Sequence, residues 1–195
     1  MSTLLTHHQH AQSLTSYQKM GLTDKNYCYM TLHRPSNVDN KNQLRAFIET
    51  ILLLSKKIAI VWPLHPRVKK TLGNYNLLSP LENEAQVILC SPLNYLDNIN
   101  IMSHSKFVIT DSGGLQEETT VLHVPCLTFR DNTERPITIT QGSNQLVGTN
   151  PQYLLKKAET LLTQKKKTYP IPKYWDGQTA KRILDHMQNY LENKK

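Results

Sequence analysis

Short apolar runs alternate along most of this chain with longer stretches that place an apolar residue every third or fourth position. Residues 27–32 (YCYMTL) form the first run and read as a strand. Residues 41–57 follow, with Leu44, Phe47, Ile48, Ile51 and Leu52 spaced to share one helix face. Residues 58–62 (IAIVW) are nearly all apolar, as expected of a strand buried on both sides in a parallel sheet. The same reading predicts a short helix over 66–75, a strand over 87–90, and a helix over 94–103 carrying Leu96, Ile99 and Met102. A strand at 106–110, a helix at 114–122, a strand at 125–129 and a short last strand at 145–148 come next. Helices over 151–164 and 177–192 close the pattern.

Repeated strand–helix units with short connections predict an α/β fold, a Rossmann-like parallel sheet with helices on both faces. Residues 1–25 carry no convincing period and read as a linker or docking arm. The domain proper is then 26–176, and 177–195 is a C-terminal helix behind a rigid connector containing Pro170, Pro172 and Gly177.

Composition narrows the class. At 195 residues, 38% hydrophobic and 19% charged, this is a folded globular chain, one domain with an appendage. No apolar stretch approaches the roughly 20 residues of a membrane span, and residues 1–8 lack the layout of a secretory signal. Cytoplasmic localisation is the expectation. Cys28, Cys90 and Cys126 sit in or beside apolar runs without CxxC spacing, as buried reduced thiols do, and no metal site is expected. His7, His8 and His10 lie where a chain start is expected to fray.

The net charge is +8, but the basic residues are scattered. The densest run is Lys165-Lys166-Lys167, with Lys156-Lys157 upstream and Lys194-Lys195 at the end. No aromatic-interleaved basic stripe accompanies them, so they read as solvated helix ends, not a nucleic-acid surface. A basic surface would attract a diphosphate.

The segment TDSGGLQEET at 110–119 carries the most chemistry. Strand, glycine turn and helix in that order aim free backbone N–H groups at an anion. Gly113 and Gly114 allow a sharp turn and a close approach. An ordinary strand–turn–helix connection is the alternative. In doubly wound sheets, ligands sit beyond the carboxyl ends of strands. There the pattern also puts His33 and Arg34, His65 and Arg67, and the run from Arg130 to Arg135. Each has a plainer reading: His33 as a hydrogen-bonded loop residue, His65 as a helix start, and Arg135 with Glu134 as a surface pair.

These motifs together give the chain a family resemblance. TLHRPSNVD (31–39), PLHPR (63–67), TDSGGLQEE (110–118), RDNTERP (130–136), LVG (146–148) and WDG (175–177) occur in the order and near the spacing of the C-terminal half of the non-hydrolysing UDP-N-acetylglucosamine 2-epimerases. The resemblance runs from about residue 17 to 190. It implies the C-terminal domain of a GT-B type fold, whose active site lies in the cleft between two Rossmann-like halves. It also implies that Ser112, Gly113 and Gly114 hold UDP phosphates, that Glu118 holds the ribose, and that Arg135 belongs to the nucleotide site. Leu93 and Asn98 match uridine-pocket positions where members often carry Gln and Phe, so backbone contacts can persist there and ring stacking cannot. His33 matches an active-site histidine. Arg34 and His65 match residues that in some bacterial members contact a second, regulatory UDP-sugar. Pro35-Ser36 stands where other members carry Arg-Glu.

The reaction implied is inversion at carbon 2 of UDP-N-acetylglucosamine, by elimination of UDP to a glucal and re-addition, without a cofactor. The family's general acid and base carboxylates lie in its N-terminal half, whereas only Asp24 precedes His33 here. The expectation is a chain that binds UDP-sugar but does not turn over alone, with a separate N-terminal-half chain as a partner. Homo-oligomer formation is left open. The alternatives are a non-catalytic UDP-sugar-binding subunit and the donor half of a split GT-B glycosyltransferase. The final helix, which crosses back to the first domain in the family, is expected to be loosely held.

Overall fold

The computed structural model describes residues 2–165 and 167–193, Ser2 through its backbone alone. Lys166 of the basic run and the terminal Lys194 and Lys195 therefore lie outside the described residues. The chain opens with α1 (Ser2–Gln12) and α2 (Ser16–Lys19), then β1 (Tyr27–Thr31), α3 (Pro35–Val38), α4 (Lys41–Ser55), β2 (Ala59–Pro63), α5 (Pro66–Asn74), α6 (Leu78–Glu82) and β3 (Val87–Cys90). It continues through α7 (Tyr95–His104), β4 (Phe107–Thr110), α8 (Gly113–Val121), β5 (Cys126–Thr128), α9 (Ile137–Thr140), β6 (Asn144–Leu146), α10 (Pro151–Thr163) and α11 (Thr179–Glu192).

Among the described residues, six strands pair in parallel in the order β3-β2-β1-β4-β5-β6. The order reverses between β1 and β4, the switch point at which doubly wound folds open a ligand crevice. Strand side chains alternate between two cores, as the period of two dictates. Cys28, Met30, Ile60, Trp62, Ile109 and Phe129 face α4, α5 and α10, with Phe47 centred between Phe129 and Trp62. Tyr27, Tyr29, Val61, Val108 and Cys126 face α7 and the inner side of α8. Burial raises the thiol pKa of Cys28, and pushes that of Cys126 up to about 12, so both behave as inert apolar groups.

The helices start where the sequence supplies caps. The Asn40 side chain accepts from the amides of Asn42 and Gln43, Asn94 from Asp97, and Asn150 from Tyr153 ahead of a proline-led first turn. The last strand is shifted: β6 occupies Asn144–Leu146 where 145–148 was expected, and Gly148 turns away with φ +64°.

The N-terminal segment, read as a linker or docking arm without a legible period, opens with α1, which lies on α7 and the end of α8, with Leu4 and Ala11 buried against Ile99 and Val121. The anchor is polar. Buried Asn100 of α7 donates to the carbonyls of Ala11 (2.9 Å) and Leu14 (3.0 Å) and accepts from the Tyr17 amide (3.3 Å). It thereby ties the chain at and just beyond the end of α1 to α7. At the other terminus, none of the residues of α11 is buried.

Candidate functional site

β1 and β4 are register neighbours, Thr31 opposite Thr110, and their hydroxyls meet at 2.8 Å. The two chain segments that leave them, 32–38 and 111–113, are therefore side by side at the switch point. Asp111 joins them. Its carboxylate is fully buried and accepts from the His33 amide (3.1 Å), the Arg34 amide (2.8 Å), Asn37 Nδ2 (3.0 Å) and His33 Nδ1 (2.9 Å). Its own carbonyl accepts from Arg34 Nε at 3.0 Å. Burial alone would raise the Asp111 pKa, but the bonds from His33, the Arg34 amide and Asn37 outweigh it and hold the group below the ordinary carboxylate value. The His33 pKa is raised, chiefly by its bond to Asp111 and against partial burial. Its side chain is 49% exposed, so the rest of the ring reaches solvent.

Helix α8 starts two residues on, after Ser112. The Ser112 amide is bonded to Thr110 Oγ1 (3.0 Å), and the Ser112 side chain does not cap the helix. Gly113 and Gly114 have no left-handed backbone conformation, so the expected glycine-dependent turn is corrected: they are the first residues of an ordinary helix. A Cβ at Gly113 would meet nothing nearer than Glu134 Oε2 at 3.7 Å, and one at Gly114 nothing nearer than Ser112 Oγ at 3.9 Å. The chain itself does not need glycine at either place. The two residues leave unfilled space over a helix N-terminus, where backbone N–H groups and the helix dipole favour an anion.

Cationic groups surround that space, with carboxylates among them. Arg130, nearly buried, grips Glu134 through both nitrogens (2.6 and 2.8 Å), and Arg34 stands 3.5 Å from the same carboxylate. The Arg130 bond holds the Glu134 carboxyl down at about 2. Arg135 pairs with Glu117 on the first turns of α8 at 2.6 Å. The segment carrying these residues is tied to α8 by Thr133 Oγ1 donating to the buried Gln116 side chain at 2.5 Å.

On its other side α8 faces α7. A hollow of about 290 Å³ there is lined by Thr3, Leu4, Tyr95, Gly114, Glu117 and Glu118. Burial raises the Glu118 pKa, opposed by a hydrogen bond from the Tyr95 hydroxyl, whose own pKa is pushed up to about 12 by burial and by Glu118. Asn98 is half-buried and accepts a hydrogen bond from the Tyr29 hydroxyl, and Leu93 packs on the same core. His65 lies apart in its bonding: exposed after β2, its Nδ1 accepts from the Arg67 amide (3.2 Å) and caps α5, the helix-start role. Arg67 pairs with Asp39.

The structure thus brings His33, Arg34, Ser112, Gly113, Gly114 and Arg135 to one rim, with Glu118 around the side of the same helix. Asp111 and Tyr95 were given no role from sequence, and Glu134 pairs with Arg130 while Arg135 pairs with Glu117, not the Arg135–Glu134 side-chain pair of the plainer reading. The available signal for Asp111 was a carboxylate completing an apolar strand, which is costly to bury unless partnered. A larger hollow, about 460 Å³, lies at the opposite ends of β1 and β4. Its Lys25 and Lys106 donate to carbonyls of Ser105 and Gln164, at the ends of α7 and α10, so helix termini account for them.

Strand order, switch point and rim define the C-terminal, Rossmann-like domain of a GT-B type protein. The sequence profile of the UDP-N-acetylglucosamine 2-epimerases matches residues 2–188, and the chain belongs to that family. It is 40% identical over 163 residues to the UDP-N-acetylglucosamine 2-epimerase of Methanocaldococcus jannaschii, covering 83% of this chain and 44% of that protein. A crystal structure of that organism's enzyme in complex with UDP-GlcNAc and UDP superposes with a TM-score of 0.84 at 34% identity, over 96% of this chain and 52% of the other. The UDP-2,3-diacetamido-2,3-dideoxy-D-glucuronate 2-epimerase of Pseudomonas aeruginosa is 34% identical over 181 residues, 91% of this chain and 48% of that protein. The chain spans about half the length of the relatives it matches.

Proposed function

We propose that residues 1–195 form the nucleotide-binding half of a UDP-N-acetylglucosamine 2-epimerase, and that inversion at carbon 2 requires groups from polypeptide beyond them. One observation carries the reading. Gly113 and Gly114 head α8 at the switch point with space that neither backbone strain nor neighbouring atoms account for. Room for a diphosphate does account for it.

In this reading the amides at the start of α8 face the β-phosphate, with Ser112 beside them. Arg135 lies over the same turn, and Glu118 in its hollow accepts from the ribose hydroxyls. Leu93 and Asn98 border the uracil through the backbone and the α7 surface. Elimination sends negative charge onto the departing diphosphate, and donors fixed in advance stabilise it most effectively. His33 presents Nε2 toward the same rim and, when protonated, donates to the developing oxyanion. Proton removal and return at the sugar fall to the carboxylates that the resemblance places in the family's other half. Arg34 and His65 are the residues to vary for a second UDP-sugar site.

Calorimetric titration of UDP into the 195-residue chain tests the reading. Binding is expected, and it is expected to vanish when Gly113 and Gly114 are both replaced by valine. The chain alone is expected not to convert UDP-GlcNAc to UDP-ManNAc, and to do so once a polypeptide supplying the relatives' N-terminal half is added. No heat with UDP would end the proposal. Binding without inversion under the second condition would favour a UDP-sugar-binding subunit.

A further inference from the structure

We propose that Asp111 is the positioning residue of this rim: it fixes His33 as the Nδ1–H tautomer, leaving Nε2 as the nitrogen offered to a ligand, and locks the loop after β1 to the start of α8. The inference rests on the reading of His33 as the reacting group of a nucleotide site.

The argument starts from the carboxylate. An ionised Asp is an acceptor only. His33 Nδ1 lies 2.9 Å from Asp111 Oδ1, so that nitrogen carries the hydrogen whether the ring is neutral or charged. In the neutral ring, Nε2 is then the bare, basic nitrogen; in the charged ring, it is the free donor. The assignment is robust because Asp111 has no alternative environment. It is fully buried, and both oxygens are engaged by donors from His33 and Arg34 of the loop after β1 and from Asn37 of α3. Loss of any one leaves a buried charge underbonded, which the fold disfavours.

The same residue spans the two halves of the rim. Through its side chain it holds the amides of His33 and Arg34 and the amide group of Asn37. Asn37 Nδ2 also reaches the Phe129 carbonyl at the end of β5 (3.2 Å). Through its carbonyl Asp111 holds Arg34 Nε, and its next neighbours are Ser112 and Gly113. A ligand seated on the first turn of α8 therefore meets a histidine whose position is set by the residue just before that turn. The charged groups around the pair are Arg34, which opposes protonation of His33, and Arg130, which senses the Asp111 charge.

Long-range proton–nitrogen NMR on the 195-residue chain tests this, with the His33 signals assigned by loss in His33→Gln. Neutral His33 is expected as the Nδ1–H tautomer, and its titration is expected to move to lower pH in Asp111→Asn. An Nε2–H tautomer, or the fast mixture of a free imidazole, overturns the proposal. So does an unchanged titration in a folded Asp111→Asn. If that variant does not fold, the wild-type tautomer decides alone. UDP titration of the same wild-type sample separates the two claims. UDP binding with a free tautomer removes the role of Asp111 only, whereas a fixed tautomer without UDP binding removes the nucleotide reading.

Discussion

Helices α4 and α11 read alike in sequence and end differently in the structure. Both are amphipathic and nearly equal in length, 15 and 14 residues. Leu44, Phe47, Ile48, Ile51 and Leu54 of α4 disappear into the core beneath the sheet. In α11, Ile183, Leu184, Met187, Tyr190 and Leu191 recur at helical spacing and all remain more than half exposed. The pattern of a helix specifies that it has an apolar face, not what meets it. For α4 the counterpart is the sheet; for α11 the described residues of this chain bury no residue of the helix. The same division between parts that complete themselves and parts left open runs through the rim.

The largest test sets the two helices against each other. Phe47→Ala empties a site enclosed by Trp62 and Phe129 and is expected to cost about 3–5 kcal/mol in urea unfolding. Leu184→Ala removes a side chain that is 65% exposed and is expected to stay within about 0.5 kcal/mol. A comparable loss at Leu184 would mean that α11 has a partner surface in solution, such as a second copy of the chain.

Two glycines repeat the contrast at smaller scale. A Cβ at Gly142 would lie 2.5 Å from both the Thr138 carbonyl and Thr120 Oγ1, so the chain's own packing requires glycine there. Gly142→Ala is expected to cost about 1–3 kcal/mol. Gly113→Ala meets no such contact and is expected to be neutral or to add up to about 1 kcal/mol, while weakening UDP binding about tenfold or more. Unchanged UDP affinity in Gly113→Ala would show that the open space serves something else.

How much of this was legible beforehand follows the same division. Strands and long helices were readable because their apolar periods are strong. The rim was readable because strand carboxyl ends gather whatever polar residues follow them. Helix α1 was not, since only Leu4 and Ala11 of its apolar residues are buried and its anchor, Asn100, lies 89 positions from Ala11. The roles of Asp111 and Glu134 were also hidden. A carboxylate's meaning depends on donors delivered by other segments, and no spacing rule records them. Glycine at 113 and 114 was rightly noticed for the space it leaves and wrongly for the turn.

Acidity probes the self-completed part. The raised pKa of His33 adds stability that is fully present below the ordinary histidine value of 6.5 and is lost as pH rises through the folded value. The lowered pKa of Asp111 adds stability that is fully present above 3.8 and is lost as pH falls through its folded value. Together they predict a stability plateau between those two pH values, shallower on the alkaline side because His33 is half exposed. Urea midpoints across pH should show both shoulders in the native chain and neither in a folded Asp111→Asn variant.

The smallest expected effect concerns the open part. Glu134 is held by Arg130 with one oxygen near the Gly113 space, and its lowered pKa keeps it charged at any working pH. A diphosphate arriving at the start of α8 meets that fixed negative charge beside it. Glu134→Gln keeps the shape, removes the charge, and frees Arg130 and Arg34 to face the ligand. UDP affinity is expected to rise about two- to fivefold, the modest size reflecting an exposed and screened carboxylate, and the gain should shrink as salt is added. A fall in affinity would reverse the assignment. Glu134 would then matter by aiming the two arginines, and the rim would be more nearly complete in itself than its empty glycine space implies.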